Sequence, residues 1–149
     1  MLIKIDISKA YDKLSWKYME KMLSAYGFSR EWVEWVMDLV TTPFFSILLN
    51  VFPTKPFKPS RGIMQGDPMS HFLFILMVEG MSKLIQTHGI GGEIRGLSLR
   101  EGMEKQTHQQ FVDDTMLMEH PSLQEAHAFK SSLILFARAP QMDFNADKS

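Results

Sequence analysis

No cysteine occurs anywhere in the 149 residues. That excludes disulfide staples and thiolate metal sites, and it fits an intracellular setting. A surplus of one charge is missing too: sixteen Lys and Arg stand against seventeen Asp and Glu, a net charge of −1. A free-standing nucleic-acid binder usually carries excess basic charge to displace counterions from phosphates. Any basic surface is therefore local, or belongs to other parts of a larger protein. Long apolar runs are also absent. The longest, Phe72 to Val78, falls far short of the roughly 20 residues that span a bilayer, so no membrane partner is expected. Met1-Leu2-Ile3-Lys4-Ile5-Asp6 becomes charged too early for a signal peptide. It starts within what reads as a strand, as though the chain begins inside a larger fold.

What is present is globular: 45% hydrophobic and 22% charged residues predict one domain over 1–149 with a real core. Leu2 to Ile7 alternates apolar and polar residues, predicting a strand that ends near Asp6. Ser15 caps a helix with Trp16, Met19, Met22, Leu23 and Tyr26 on its apolar face and Gly27 as its stop. Ser29 caps a second, with Trp32, Trp35, Val36, Leu39 and Val40 on the core side. Phe44 to Lys58 reads as a hairpin with a proline-interrupted edge strand. A loop over 60–66 leads to Asp67-Pro68, an N-cap acid before a first-turn proline, opening an apolar helix to about Ile85. The glycine-rich stretch 89–102 is expected to hold a strand near Ile94 to Leu99. Thr107–Val112 and Thr115–Glu119 read as short strands joined at Asp113-Asp114, Ser122 as the cap of a last helix, and Met142–Asn145 as a last strand. This mixture predicts an α+β domain, an antiparallel sheet with helices packed on one face.

Two adjacent aspartates between β-rich runs raise each other's proton affinity unless a cation offsets them. A solvated turn is the plain reading. A divalent ion is the chemical one, and hard carboxylate oxygens favour Mg²⁺ or Mn²⁺. Asp6, at the end of a separate strand, can join the pair at one sheet edge. Three such carboxylates suit two-metal phosphoryl transfer, with the ions roughly 3.5–4 Å apart.

Four ordered motifs extend this reading: Asp6-Ile7-Ser8-Lys9-Ala10-Tyr11-Asp12, Arg61 to Ser70 around Gln65-Gly66, Phe111-Val112-Asp113-Asp114, and Asp143 to Ser149. Together they resemble the consecutive palm motifs of reverse transcriptases, most closely those of LINE-type (non-LTR) retrotransposons of the plant kind. The resemblance implies a polymerase palm without fingers or thumb, a fragment of a larger polyprotein. It also implies RNA-directed DNA synthesis from a primer 3′-hydroxyl, with an RNA template, a DNA primer and dNTPs as partners and two Mg²⁺ or Mn²⁺ ions as cofactors. By position, Asp6 and Asp113 would bridge the metals, with Asp114 the neighbouring acid. Tyr11 would exclude the ribose 2′-hydroxyl, Gln65 and Gly66 would pack on the incoming nucleotide, and Lys148 would assist the leaving pyrophosphate. Met64 stands where many relatives have Arg, and His71 where proline is usual. The chain is accordingly expected to be a partial or inactive retroelement copy; the alternative is a non-catalytic palm-like remnant.

Overall fold

The structure is a computed structural model that describes residues 2–98, 100 and 105–145. In chain order the elements are β1 (Leu2–Ser8), α1 (Ala10–Lys13), α2 (Trp16–Ala25), α3 (Arg30–Thr41), β2 (Leu48–Leu49), β3 (Phe52–Pro53), α4 (Pro68–Ile90), β4 (His108–Phe111), β5 (Asp114–Met118), α5 (Leu123–Arg138) and β6 (Asp143–Phe144). β1 lies inside a four-stranded sheet of order β4-β5-β1-β6, and each adjacent pair is antiparallel.

Side chains alternate across a strand, and β1 uses that alternation to separate core from chemistry. Ile5 and Ile7 are buried with Leu117 of β5, Phe74, Met77 and Met81 of α4, and Phe129 and Phe136 of α5. Lys4 and Asp6 face the other way. The helices thus cover one face of the sheet, as the α+β reading expects. α4 is the central helix and packs against both α2 and α5. It runs five residues past the expected end at Ile85, to Ile90. By length and composition alone this 23-residue helix could cross a membrane, a property that the short run Phe72–Val78 did not reveal. Here its buried residues form the middle of the core.

The four expected helix caps are present: the side chains of Ser15, Ser29, Asp67 and Ser122 accept from the backbone N–H groups of Tyr18, Trp32, Met69 and Glu125. Each satisfies a donor that the first helical turn leaves open. Two tyrosines tie α2 to α4, with Tyr18 donating to the Met77 carbonyl at 2.9 Å and Tyr26 to the Leu76 carbonyl at 3.0 Å. Gly80 permits this approach, because a Cβ there would lie 2.6 Å from the Tyr18 hydroxyl oxygen.

Three expectations are corrected. On α3 the buried residues are Val33 and Val36, whereas Trp35 and Leu39 are 60% and 62% exposed. The helix meets α2 through its smaller side chains, and Trp32 stacks at its outer end on Phe28. Among the described residues of 94–99 there is no strand, only an isolated bridge between Leu97 and Gln106. Gly96 has φ +66, and a Cβ there would meet the Gln106 carbonyl oxygen at 2.7 Å, so close backbone contact replaces a ladder. The hairpin of 44–58 forms, but its strands β2 and β3 are two residues each.

Candidate active site at the sheet edge

β1 carries Asp6 to the rim of the sheet, and the chain then turns sharply. Lys9 sits in the left-handed region (φ 50, ψ 48) and starts α1, which brings Tyr11 back over the end of the strand. The rim is fastened from both sides. Ile7 N–H donates to the Asp113 carbonyl at 3.2 Å, and Asn145 N–H donates to the Asp6 carbonyl at 2.9 Å. On the β6 side, Lys13 of α1 pairs with Asp143 at 2.7 Å, which holds the Asp143 carboxyl below its usual range.

The β4–β5 hairpin delivers the tandem acids, one residue out of step with expectation. Phe111 pairs with Asp114, so the turn is Val112-Asp113 and Asp114 is already in the strand. Val112 has φ 55. A positive φ at the first central position fits the primed turns that two-residue hairpins use. Glycine is the ordinary occupant there, and a β-branched residue stores strain of roughly 1–3 kcal/mol.

This offset gives the two acids different surroundings. Asp113 joins Asp6, Ser8, Tyr11, Gln65 and Gly66 around an open, polar cleft of about 700 Å³. Asp114 is not part of that lining. It stands directly across the ladder from Asp6 and pairs with Lys4 at 2.9 Å on the open face of the sheet. The bond to Asp114, reinforced by the charges of Asp114, Asp6 and Asp113, raises the Lys4 ammonium above its usual value. Among the described residues no three His, Cys, Asp or Glu side chains gather as a metal cage. The expected convergence of three acids is therefore two in the cleft and one beside it.

Tyr11 is a fixed wall of the cleft. Its ring stacks on buried Phe74 at 4.7 Å between centroids, and its hydroxyl lies 3.3 Å from His71 Nδ1. Burial, and then the charge of Asp113, raise its hydroxyl above the usual range. The Gln65-Gly66 loop is laced to the same segment. Gly62 N–H donates to the Leu14 carbonyl at 2.8 Å, Ile63 N–H to the Tyr11 carbonyl at 2.9 Å, and Trp16 Nε1 to the Gly62 carbonyl at 2.6 Å. At Gly62 (φ +87) a Cβ would lie 2.6 Å from the Asp12 carbonyl oxygen, so only glycine fits. Gln65 and Gly66 themselves are exposed on the rim. Lys148 lies outside the described residues.

Sequence reading missed three participants. Trp16 read as an apolar helix residue and His71 only as a departure from the usual proline, yet Trp16 holds the Gly62 carbonyl and His71 meets the Tyr11 hydroxyl. Lys4 drew no notice, although strand alternation puts it on the face of Asp6, a signal that could have found it.

Comparison with known proteins bears on the family and the fold. The family model described as reverse transcriptase (RNA-dependent DNA polymerase) matches residues 1–149. The Pol polyprotein of the type-2 retrotransposable element R2DM of Drosophila melanogaster is 30% identical over 93 residues, 62% of this chain and 9% of that protein. A Pol polyprotein of the type-1 element R2 of Popillia japonica is 23% identical over 147 residues, 99% of this chain and 23% of that protein. An uncharacterised mitochondrial protein of Arabidopsis thaliana is 35% identical over 72 residues, 48% of this chain and 59% of that protein. The chain thus spans less than two thirds of each of these relatives. Among solved structures, apo telomerase of Candida tropicalis, truncated from its C-terminal domain, superposes with a TM-score of 0.70 at 15% identity, over 95% of this chain and 28% of that one. The telomerase of the same species in complex with a TWJ fragment of telomeric RNA gives 0.71 at 14% identity, over 99% and 25%. These two likenesses show the fold. The chain belongs to the reverse transcriptase (RNA-dependent DNA polymerase) family, of the kind found in non-LTR retrotransposons.

Proposed function

We propose that the cleft between Asp6, Asp113, Tyr11 and the Gln65-Gly66 loop is the nucleotidyl-transfer site of an RNA-directed DNA polymerase. It would work inside the cell on an RNA template, a DNA primer and dNTPs. The observation that carries this reading is the pairing of β1 with β5, which sets acids from distant stretches of the chain at one sheet edge.

The donor chemistry fits divalent metal. Asp6 and Asp113 offer hard carboxylate oxygens beside an open cleft, suited to Mg²⁺ or Mn²⁺, and Asp114 is the neighbouring acid. Two such ions, when bound, would favour deprotonation of the primer 3′-hydroxyl and offset charge on the leaving pyrophosphate. The protein's own contribution is positioning. Tyr11, held by Phe74 and His71, presents an aromatic wall that would exclude a ribose 2′-hydroxyl. Gln65 and Gly66 offer amide and backbone donors at the rim for the incoming nucleotide, on a loop anchored through Gly62. Lys148, by its place in the last motif, is the candidate donor to pyrophosphate.

A second reading, a palm-like remnant that binds metal without turnover, draws on the Lys4–Asp114 pair, which occupies one of the three acids. Primer extension on an RNA template separates the two. The polymerase reading expects dNTP incorporation by this chain that falls at least about a hundredfold in Asp113→Asn, since mutagenic loss of one electrostatic contact to the transition state costs about 10²–10³ in rate. Incorporation that survives Asp113→Asn removes Asp113 from the site. Mn²⁺ binding without extension on any primer–template selects the remnant.

A further inference from the structure

The open face of the sheet carries an arrangement that the palm motifs do not include. Lys4 and Asp6 are two residues apart on β1 and share a face, and in the ladder they stand opposite Met116 and Asp114. Like charges directly across an antiparallel pair repel, and Asp6 with Asp114 is such a pair. Lys4 reaches diagonally over the ladder and sets its Nζ 2.9 Å from Asp114 Oδ2. Asp114 is thereby fixed over the sheet, while Asp6 and Asp113 line the cleft.

We infer that Lys4 is a positioning residue of the metal site: its ammonium holds Asp114 outside the cleft, and a divalent ion must compete with it for that carboxylate. The inference rests on the metal-site reading above. The pair is built for exchange, because the side chains of Lys4 and Asp114 are 55% and 43% exposed. Exposed ion pairs of this kind contribute little to stability, so the fold does not depend on keeping it closed. A doubly charged ion attracts the carboxylate more strongly than an ammonium does and, unlike it, can bind Asp114 together with a second carboxylate. Two cations drawn to one carboxylate repel each other, so the ammonium weakens the ion's hold on Asp114 and the ion weakens the ammonium's.

The test is a Mn²⁺ titration of the 149-residue chain followed by the loss of the free-ion paramagnetic resonance signal, with circular dichroism to verify folding. Lys4→Gln is expected to bind Mn²⁺ about fivefold more tightly, the size an exposed ion pair can contribute. Lys4→Arg keeps the pair and stays within about twofold of the parent. Asp114→Asn removes the competed carboxylate, and adding Lys4→Gln to it should then change nothing, the signature of coupling through one contact. Unchanged affinity in Lys4→Gln overturns the inference. So does an equal tightening in the Asp114→Asn background, which would mean that Lys4 acts on the whole acidic edge and not through the pair. Asp113→Asn is the separate control. Mn²⁺ binding indifferent to it, or no binding by the parent, overturns the metal-site reading itself.

Discussion

Phe74, Met77, Met81 and Ile85 on α4 are fully buried, whereas Phe44, Leu48, Leu49 and Phe52, on the arm from 44 to 59, are between 63% and 76% exposed. Both regions are rich in large apolar side chains, yet only the first has a layer to bury them against. α4 is enclosed by the sheet, α2 and α5. The arm is a two-stranded ribbon, a form with marginal stability of its own. At its base Phe45 and Phe57 exchange backbone hydrogen bonds of 2.9 and 2.8 Å. At its tip Asn50 and Val51 both have positive φ, the primed turn in which Asn-Gly is the favoured pair. The lesson is that hydrophobic content does not locate a core; a second layer does. The cleft of the acids lies on the body, so its geometry draws on the strongest packing in the molecule.

Three measurements sharpen or break this contrast. The largest effect is expected for Phe74→Ala, which empties a fully buried site and removes the surface on which Tyr11 stacks. Unfolding in urea should show a loss of about 3–5 kcal/mol, and a loss below about 1 kcal/mol would mean that α4 is not the keystone.

A smaller effect is expected from pH. Burial lowers the affinity of His108 for a proton, partly offset by Glu79. With its value below the unfolded 6.5, the folded state binds fewer protons than the unfolded chain as pH falls through that window. The contribution is present above pH 6.5 and is lost on acidification towards the folded value. Comparing urea midpoints at pH 7.5 and 5.5 for the parent and His108→Gln should show a shallower decline in the variant. Parallel declines would assign the acid sensitivity elsewhere.

The smallest effect belongs to the arm. Phe52→Ser should alter unfolding free energy by no more than about 0.5 kcal/mol, as for exposed positions generally. A loss near that of Phe74→Ala would show the arm to be part of the core and abolish the distinction.

Much of this body was legible in the sequence because its signals are local. Ser15, Ser29, Asp67 and Ser122 announce their helices through one side-chain bond each. Alternation in β1 announces both the buried Ile5 and Ile7 and the outward Asp6. Less legible was anything requiring a neighbour. α3 has apolar residues around most of its circumference, so periodicity alone could not choose Val33 and Val36 over Trp35 and Leu39. The step from an Asp113-Asp114 turn to a Val112-Asp113 turn depends on hairpin register and on a strained Val112, which propensity argues against. The acids were nameable in advance. Which of them line the cleft and which stands beside it, and the Lys4 bond to the latter, had to be seen in space.

The β1–β5 ladder also works as a ruler. Ile3 sits against Leu117 and Ile5 against Thr115, and these pairings decide that Asp6 meets Asp114. Because faces alternate, sliding one strand by a single residue would turn every outward group inward. Inert aliphatic residues near the start of the chain therefore hold the spelling of the site. Changing one for another of similar size leaves the message readable, whereas deleting Ile5 would bring Lys4 into the inward place beside Asp6 and garble it.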